Sequence, residues 1–430
     1  MPAAALRPRT RLLALALASA AAAFTAGLPA RAATDDALLQ AARQAQPAVE
    51  ASLKELVSIE SGSANVAGLR RLADLVEARL KALGARTERR PVSAGPGADI
   101  VIGRLAGSGR LRVLLLAHLD TVYPEGILAT QPWKEEPGRL YGPGIADDKG
   151  GIAVILHALQ ILKDAGWRDH AQLTVLFNPD EEIGSIGSGE AIAALADEHE
   201  VVLSFEPTAA KAIAKNEGLL LGAAGTATAT LEVTGRASHA GAAPDLGRNA
   251  LIELSHQLLQ TREVARSVPG AQLNWTTSKA GEVRNQIPER ASAGGDVRTT
   301  QAGAAARLEA ALREKVAASR LVPDTQVSVN VREGRPPFQA GERGRALARH
   351  AQAIYAELEQ RPLVLVPITG GATDAGYAGR SGKAVVVESF GLAGFGYHAR
   401  DEFIERDSIV PRLYLATRLL QDLGAGKVAY

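Results

Sequence analysis

A chain of 430 residues is too long for one compact core and suits two domains. Its 46% hydrophobic and 22% charged content is ordinary for a globular protein, and a net charge of +1 offers no electrostatic footprint for nucleic acid or an anionic membrane. With no cysteine there is no disulfide, no thiolate zinc site and no cysteine nucleophile, so any metal must be held by imidazole and carboxylate.

Residues 1–32 read as a signal peptide. Arg7, Arg9 and Arg11 make a basic start, residues 12–27 are small and apolar, and Ala30-Arg31-Ala32 has the small-x-small pattern of a cleavage site. A spanning anchor would need a longer apolar core, of ~18 residues. No adjacent arginine pair stands in the segment, which points to general secretion. The expectation is an exported protein, periplasmic or secreted, with no stable membrane association.

Residues 36–59 and 66–83 repeat apolar side chains at helical spacing, the second stretch closed by Gly84. Residues 99–105 and 112–117 are strand-like apolar runs. A helical pattern over 150–165 stops at Gly166, and further apolar runs follow at 173–177 and 201–205. This alternation over 36–223 predicts an α/β unit with a mostly parallel central sheet flanked by helices. Near residue 224 the pattern changes to strand 226–233, helix 248–261, strands 273–279 and 291–299, helix 303–318 and strand 325–331. The order β-α-β-β-α-β is ferredoxin-like, so residues 224–335 read as an inserted α+β domain. After Pro336-Pro337 the α/β pattern resumes over 336–430, with helices at 343–358 and 408–423 and a strand at 384–390.

Ligand-type residues collect at the ends of the apolar runs. The 112–117 run leads into His118-Leu119-Asp120, the 173–177 run into Asp180-Glu181-Glu182, and the 201–205 run into Glu206-Pro207. Functional groups of open α/β sheets gather beyond the carboxyl ends of their strands. Side chains alternate along a strand, so Asp120 lies on the side of His118 and is a candidate to orient it. Asp147 and Asp148 sit between glycines before a helix, which leaves one to serve as its N-cap and the other to bridge two cations. Asp180-Glu181-Glu182 is either a solvated acidic loop or a pair of divided roles, Glu182 on a metal and Glu181 as proton acceptor. Gly396-Tyr397-His398 follows the last predicted strand. His157, His170, His199, His256 and His350 lie in helical or connecting patterns, with surface or capping places expected for each.

These segments, together with Ser204 to Thr208 and Ala237-Ser238-His239-Ala240-Gly241, resemble the zinc-dependent exopeptidase family that includes aminoacylase, succinyl-diaminopimelate desuccinylase and the secreted bacterial glutamate carboxypeptidases that act on folates. The resemblance spans the chain after residue 32 and is strongest to the carboxypeptidases. It implies two zinc ions per subunit, with cobalt or manganese as alternatives. His118 and Glu206 would hold one ion, Glu182 and His398 the other, and Asp147 would bridge them across a cis Asp147–Asp148 peptide. Glu181 would be the general base and Asp120 the orienter of His118. The inserted domain would make a homodimer, with His239 reaching the partner's active site to stabilise an oxyanion. Arg298 and Asn285 would bind the free carboxylate of a small-molecule or short-peptide substrate, and Arg335 would add a second positive contact. Gly370-Gly371-Ala372-Thr373-Asp374 departs by one methyl group from the family's run of three glycines. The implied activity is release of a C-terminal glutamate. The alternatives are an N-acyl-amino-acid deacylase of the same family and a non-catalytic binding protein on the same fold.

Overall fold

The computed structural model describes residues 34–95, 97–358 and 361–430, so the expected signal peptide lies outside the described residues. Among the described residues no helix is long and apolar enough to cross a membrane.

The central sheet has six strands in the order Arg86–Pro91, Asp99–Ala106, Gln172–Asn178, Arg112–His118, Val201–Ser204, Val385–Val387. The last four run parallel to one another, and the first two add an antiparallel edge. Val113, Leu115 and Ala117 pack into one core, while Leu114 and Leu116 pack into another on the opposite face. Both faces are covered, which is why the strand residues are apolar without alternation. The larger core is closed by helices Asp36–Val57, Val66–Leu83, Lys149–Asp164, Glu342–Glu357 and Ile409–Gly424. Their starts are legible: Asp35 accepts the Leu38 N–H at 3.0 Å and Asn65 the Gly68 N–H at 2.9 Å. Gly84, at φ 97°, ends the second helix in the left-handed region that glycine enters freely.

Within residues 225–333 a separate antiparallel sheet has the order Ala271–Ala280, Arg290–Thr299, Gly225–Thr234, Gln326–Glu333. Helices Ala250–Thr261 and Ala304–Ala318 bury Leu254, Leu308 and Leu312 against it. The two connections to the rest of the chain run side by side. Thr226 N–H donates to the Arg335 carbonyl at 2.9 Å, and Gly334 N–H donates to that of Thr226 at 2.8 Å.

Several features differ from the sequence expectation, among them a parallel pair of Glu217–Leu220 with Leu363–Val366. The Arg86–Pro91 strand carries Arg86, Glu88, Arg89 and Arg90 and has no apolar alternation; pairing with Asp99–Ala106 makes it a strand. A second sheet, in the order Lys134–Glu136, Arg139–Tyr141, Phe403–Glu405, Ala393–Phe395, Thr208–Ala209, is built from pieces too short for a hydrophobic period to register.

Candidate metal centre

Three parallel strands deliver their ligand-type residues to one rim. His118 is the last residue of Arg112–His118. The neighbouring Gln172–Asn178 strand leads into a short turn, Glu181–Ile183, and Val201–Ser204 leads to Glu206. The adjacent aspartates divide their work. Asp148 caps the helix Lys149–Asp164 by accepting the Gly151 N–H at 3.2 Å, and it also accepts the His118 N–H at 3.3 Å. Asp147 is left facing the other ligands, and the peptide between the two aspartates is cis. His398 arrives from the second sheet, after Ala393–Phe395 and a turn with Gly396 at φ 79° and His398 at φ 62°.

Asp147 stands at the middle of this group. Its Oδ1 lies 3.0 Å from His118 Nε2, and its Oδ2 lies 3.5 Å from His398 Nε2. Glu206 Oε1 is 3.6 Å from the first imidazole and Glu182 Oε2 is 3.1 Å from the second. Each histidine therefore faces a different oxygen of Asp147 and has its own glutamate. Donor atoms of His118, Asp147 and Glu182 fall within 4.8 Å of one another, as do those of His118, Glu181 and Glu206. An all-imidazole and carboxylate set of this kind fits two divalent ions such as zinc, cobalt or manganese.

Asp120 ties the parts together. Its Oδ1 accepts the Glu181 N–H at 2.9 Å, and its Oδ2 accepts the Glu182 N–H at 3.1 Å and the Ser63 hydroxyl at 2.7 Å. His118 Nδ1 lies 3.0 Å from the Asp120 carbonyl oxygen and 3.4 Å from Oδ1. A proton on Nδ1 leaves the Nε2 lone pair free for a cation.

The electrostatics also call for cations. Burial pushes the Glu181 carboxyl well above the usual carboxylate range, with the Arg335 guanidinium opposing the shift. Burial and then the charge of Asp147 do the same to Glu206. Hydrogen bonds to Asp147 and Glu182 push His398 up to about 10. Carboxylates concentrated away from water are stable only when neutralised by protons or by cations.

Arg298 lines the same open cavity, of about 740 Å³, as Asp147, Glu182, Glu206 and His398. Its Nε lies 3.0 Å from Asp296 Oδ2. His239 and Asn285 do not line that cavity. His239 is on the strand pair Ser238–His239 and Gln286–Ile287, exposed, with Nδ1 accepting N–H groups of Gly241 at 3.2 Å and Ala242 at 3.0 Å. The Asn285 carbonyl accepts the Ala240 N–H at 2.9 Å. Arg335, expected to meet substrate, lines the cavity as well; it is 5% exposed and has Nη1 2.8 Å from Glu181 Oε1 and 2.7 Å from the Ala372 carbonyl oxygen it donates to.

Sequence reasoning missed Tyr123 and Glu402, whose signals are no more than closeness in sequence to His118 and His398. The surface expectation for two histidines is corrected: His170 and His199 are 5% and 4% exposed. His199 Nδ1 lies 2.6 Å from the Leu195 carbonyl oxygen and Nε2 lies 2.7 Å from Thr174 Oγ1, so local partners satisfy the ring inside the core. His170 stacks on Trp167 at 4.8 Å.

Residues 114–422 match the family model for Peptidase family M20/M25/M40. The chain is 44% identical to carboxypeptidase G2 of Pseudomonas sp. (strain RS-16), an alignment that covers 98% of this chain and 100% of the other. It is 29% identical to the succinyl-diaminopimelate desuccinylase of Maricaulis maris, covering 81% of this chain and 89% of the other. Among solved structures, aminopeptidase PepT of Bacillus cereus has a TM-score of 0.72 at 18% identity, covering 88% of this chain and 98% of that one. A metallo-carboxypeptidase of Sulfolobus solfataricus has a TM-score of 0.69 at 17% identity, covering 88% and 99%. The shared fold, the paired ligand sets at one sheet rim and the family match over most of its length place this chain in peptidase family M20/M25/M40.

Proposed function

We propose that this metallo-exopeptidase is a two-zinc glutamate carboxypeptidase, hydrolysing the amide bond to a C-terminal glutamate in folate-type or N-acyl-glutamate substrates. The observation that carries the two-ion reading is the division of Asp147, one oxygen toward His118 and the other toward His398. The glutamate preference is supported by the 44% identity to carboxypeptidase G2 over nearly the whole chain.

When bound, the two cations polarise the scissile carbonyl and acidify the attacking water. Glu181 accepts the water's proton and returns it to the leaving amine. Asp120 holds the His118 ring and, through the Glu181 and Glu182 N–H groups, the turn that carries the base. Arg298 takes the free α-carboxylate and so restricts cleavage to the chain end. His239 serves the partner subunit's site by stabilising the oxyanion. A homodimer through the inserted unit is supported by Leu251, Ile252 and Leu259, which are 43%, 46% and 65% exposed on the Ala250–Thr261 helix. Export to the periplasm or medium rests on residues 1–32.

The deciding experiment is zinc-loaded enzyme against folate, methotrexate and a panel of N-acyl amino acids, each as free acid and amide. Turnover confined to glutamyl free acids is expected. Faster turnover of other N-acyl amino acids would make the protein a deacylase instead, a reading favoured by its likeness to the desuccinylase.

A further inference from the structure

Glu402 belongs to none of the ligand sets, yet it is 2% exposed and three of the four hydrogen bonds its carboxylate accepts come from the loop that carries Asp147. Oε1 accepts the Ala146 N–H at 2.8 Å and the Asp147 N–H at 3.0 Å. Oε2 accepts the Gly144 N–H at 2.7 Å and the Tyr123 hydroxyl at 2.8 Å. The Glu402 carbonyl accepts the Gly142 N–H at 3.1 Å. Tyr123 follows shortly after His118, Glu402 follows shortly after His398, and the Tyr123 oxygen also lies 2.8 Å from the carbonyl oxygen of Ala399. One buried cluster thus ties together the segments bearing His118, Asp147 and His398.

We propose that Glu402, locked by Tyr123, is a positioning residue that sets Asp147 between the two cation sites. This rests on the two-ion reading above. Ile145 and Ala146 anchor the loop in the core, but its glycines leave the backbone turn itself unsupported, and Gly144 adopts φ 73°, a conformation other residues rarely enter. Backbone N–H groups turned inward need acceptors, and only a carboxylate supplies enough at this point. Unlike Glu182 or Glu206, Glu402 acts on the shared ligand, so its loss weakens both ions together.

The test is zinc affinity, measured by chelator competition on metal-free full-length protein. Glu402→Gln keeps one acceptor and turns an NH2 group toward at least one backbone N–H, so the loop must shift. Both zinc dissociation constants are expected to rise by about 10- to 100-fold, the usual cost of losing a partner behind a metal ligand. Glu253→Gln is the control. Glu253 is also fully buried and accepts backbone N–H groups of Leu321 at 2.8 Å and Val322 at 2.7 Å, but it lies in the inserted unit. It should lower the unfolding temperature and leave zinc affinity unchanged. Wild-type zinc affinity in Glu402→Gln overturns the proposal, as does equal weakening in Glu253→Gln, which would mean general destabilisation. If Glu402→Gln does not fold, Tyr123→Phe decides: a smaller rise shared by both ions supports the role, and an unchanged affinity overturns it. Fewer than two zinc ions on the wild-type protein would overturn the two-ion reading itself, and the positioning role with it.

Discussion

Arg335 and Glu181 form a buried ion pair across 154 residues of sequence, with Nη1 2.8 Å from Oε1 and a further hydrogen bond from Nη2 to the Glu181 carbonyl. The guanidinium holds down a carboxyl that burial drives up. Glu181→Gln should therefore keep its zinc and slow turnover by about 10²- to 10⁴-fold, because only the proton acceptor is lost. Arg335→Ala should raise the Glu181 pKa further. The protonated, inactive base then persists to higher pH, so the acid limb of the kcat/KM profile moves upward, while Arg335→Lys moves it less. An acid limb unmoved by Arg335→Ala would separate that limb from Glu181.

Asp147→Asn should release both ions, whereas Glu182→Gln should mainly weaken the one beside His398, because Asp147 alone offers an oxygen to each side. Elemental analysis after gel filtration reads this directly. Dialysis against a chelator should abolish turnover in the wild type and added zinc should restore it; full activity in metal-free protein contradicts the mechanism.

Arg298 lines the cavity beside the ligands and is only partly engaged, by Asp296. A charge-assisted contact to the substrate carboxylate is expected to favour the free acid over the amide by about 10- to 100-fold in kcat/KM. In Arg298→Ala that preference should vanish. Equal turnover of acid and amide by the wild type would remove Arg298 from recognition.

His239 is exposed and away from the cavity of its own chain. If it serves the partner's site, Glu181→Gln and His239→Ala should rescue each other. Random re-pairing makes half the dimers mixed with one sound site of two, so about a quarter of wild-type activity should return in a closed two-fold dimer. The measurement is the rate after unfolding, mixing and refolding. No recovery, where wild type refolds and dimerises, confines His239 to its own chain.

His157 lies 2.8 Å from Ser52 Oγ, and burial with the nearby Arg79 lowers its pKa to about 4. The unfolded chain binds that proton near pH 6.5, so this site's contribution to stability is present at neutral pH and is lost as pH falls from 6.5 toward 4. The loss between pH 7 and 4.5 is of order 2 kcal/mol. Urea unfolding with chelator present, so that metal release adds nothing, should show His157→Gln less acid-sensitive than wild type. Equal acid sensitivity would mean that other groups carry the effect.

The long elements were legible because their cores are simple. The runs ending at His118, Asn178 and Ser204 are apolar on both faces, and the helices before and after them keep a clean period and recognisable caps. The strand over Arg86–Pro91 was hidden, since its side chains are charged and only its neighbour's register makes it a strand. The carrying residues of the second sheet were hidden by shortness. The role given to Arg335 came from resemblance; its burial against Glu181 had no trace in spacing.

By itself the sequence determined which residues stand at strand ends, because a buried parallel strand is a local pattern and its exit point follows from where the apolar run stops. It also determined that any metal would meet only imidazole and carboxylate, because there is no cysteine. Tertiary structure decided the rest. His398 meets Glu182 only through the second sheet, Glu402 reaches the Asp147 loop from 255 residues away, and Arg335 turns to Glu181 from the junction of the inserted unit. These contacts have no period and no propensity to read: they exist because packing the sheets and helices leaves buried polar groups that must find partners wherever the folded chain brings them.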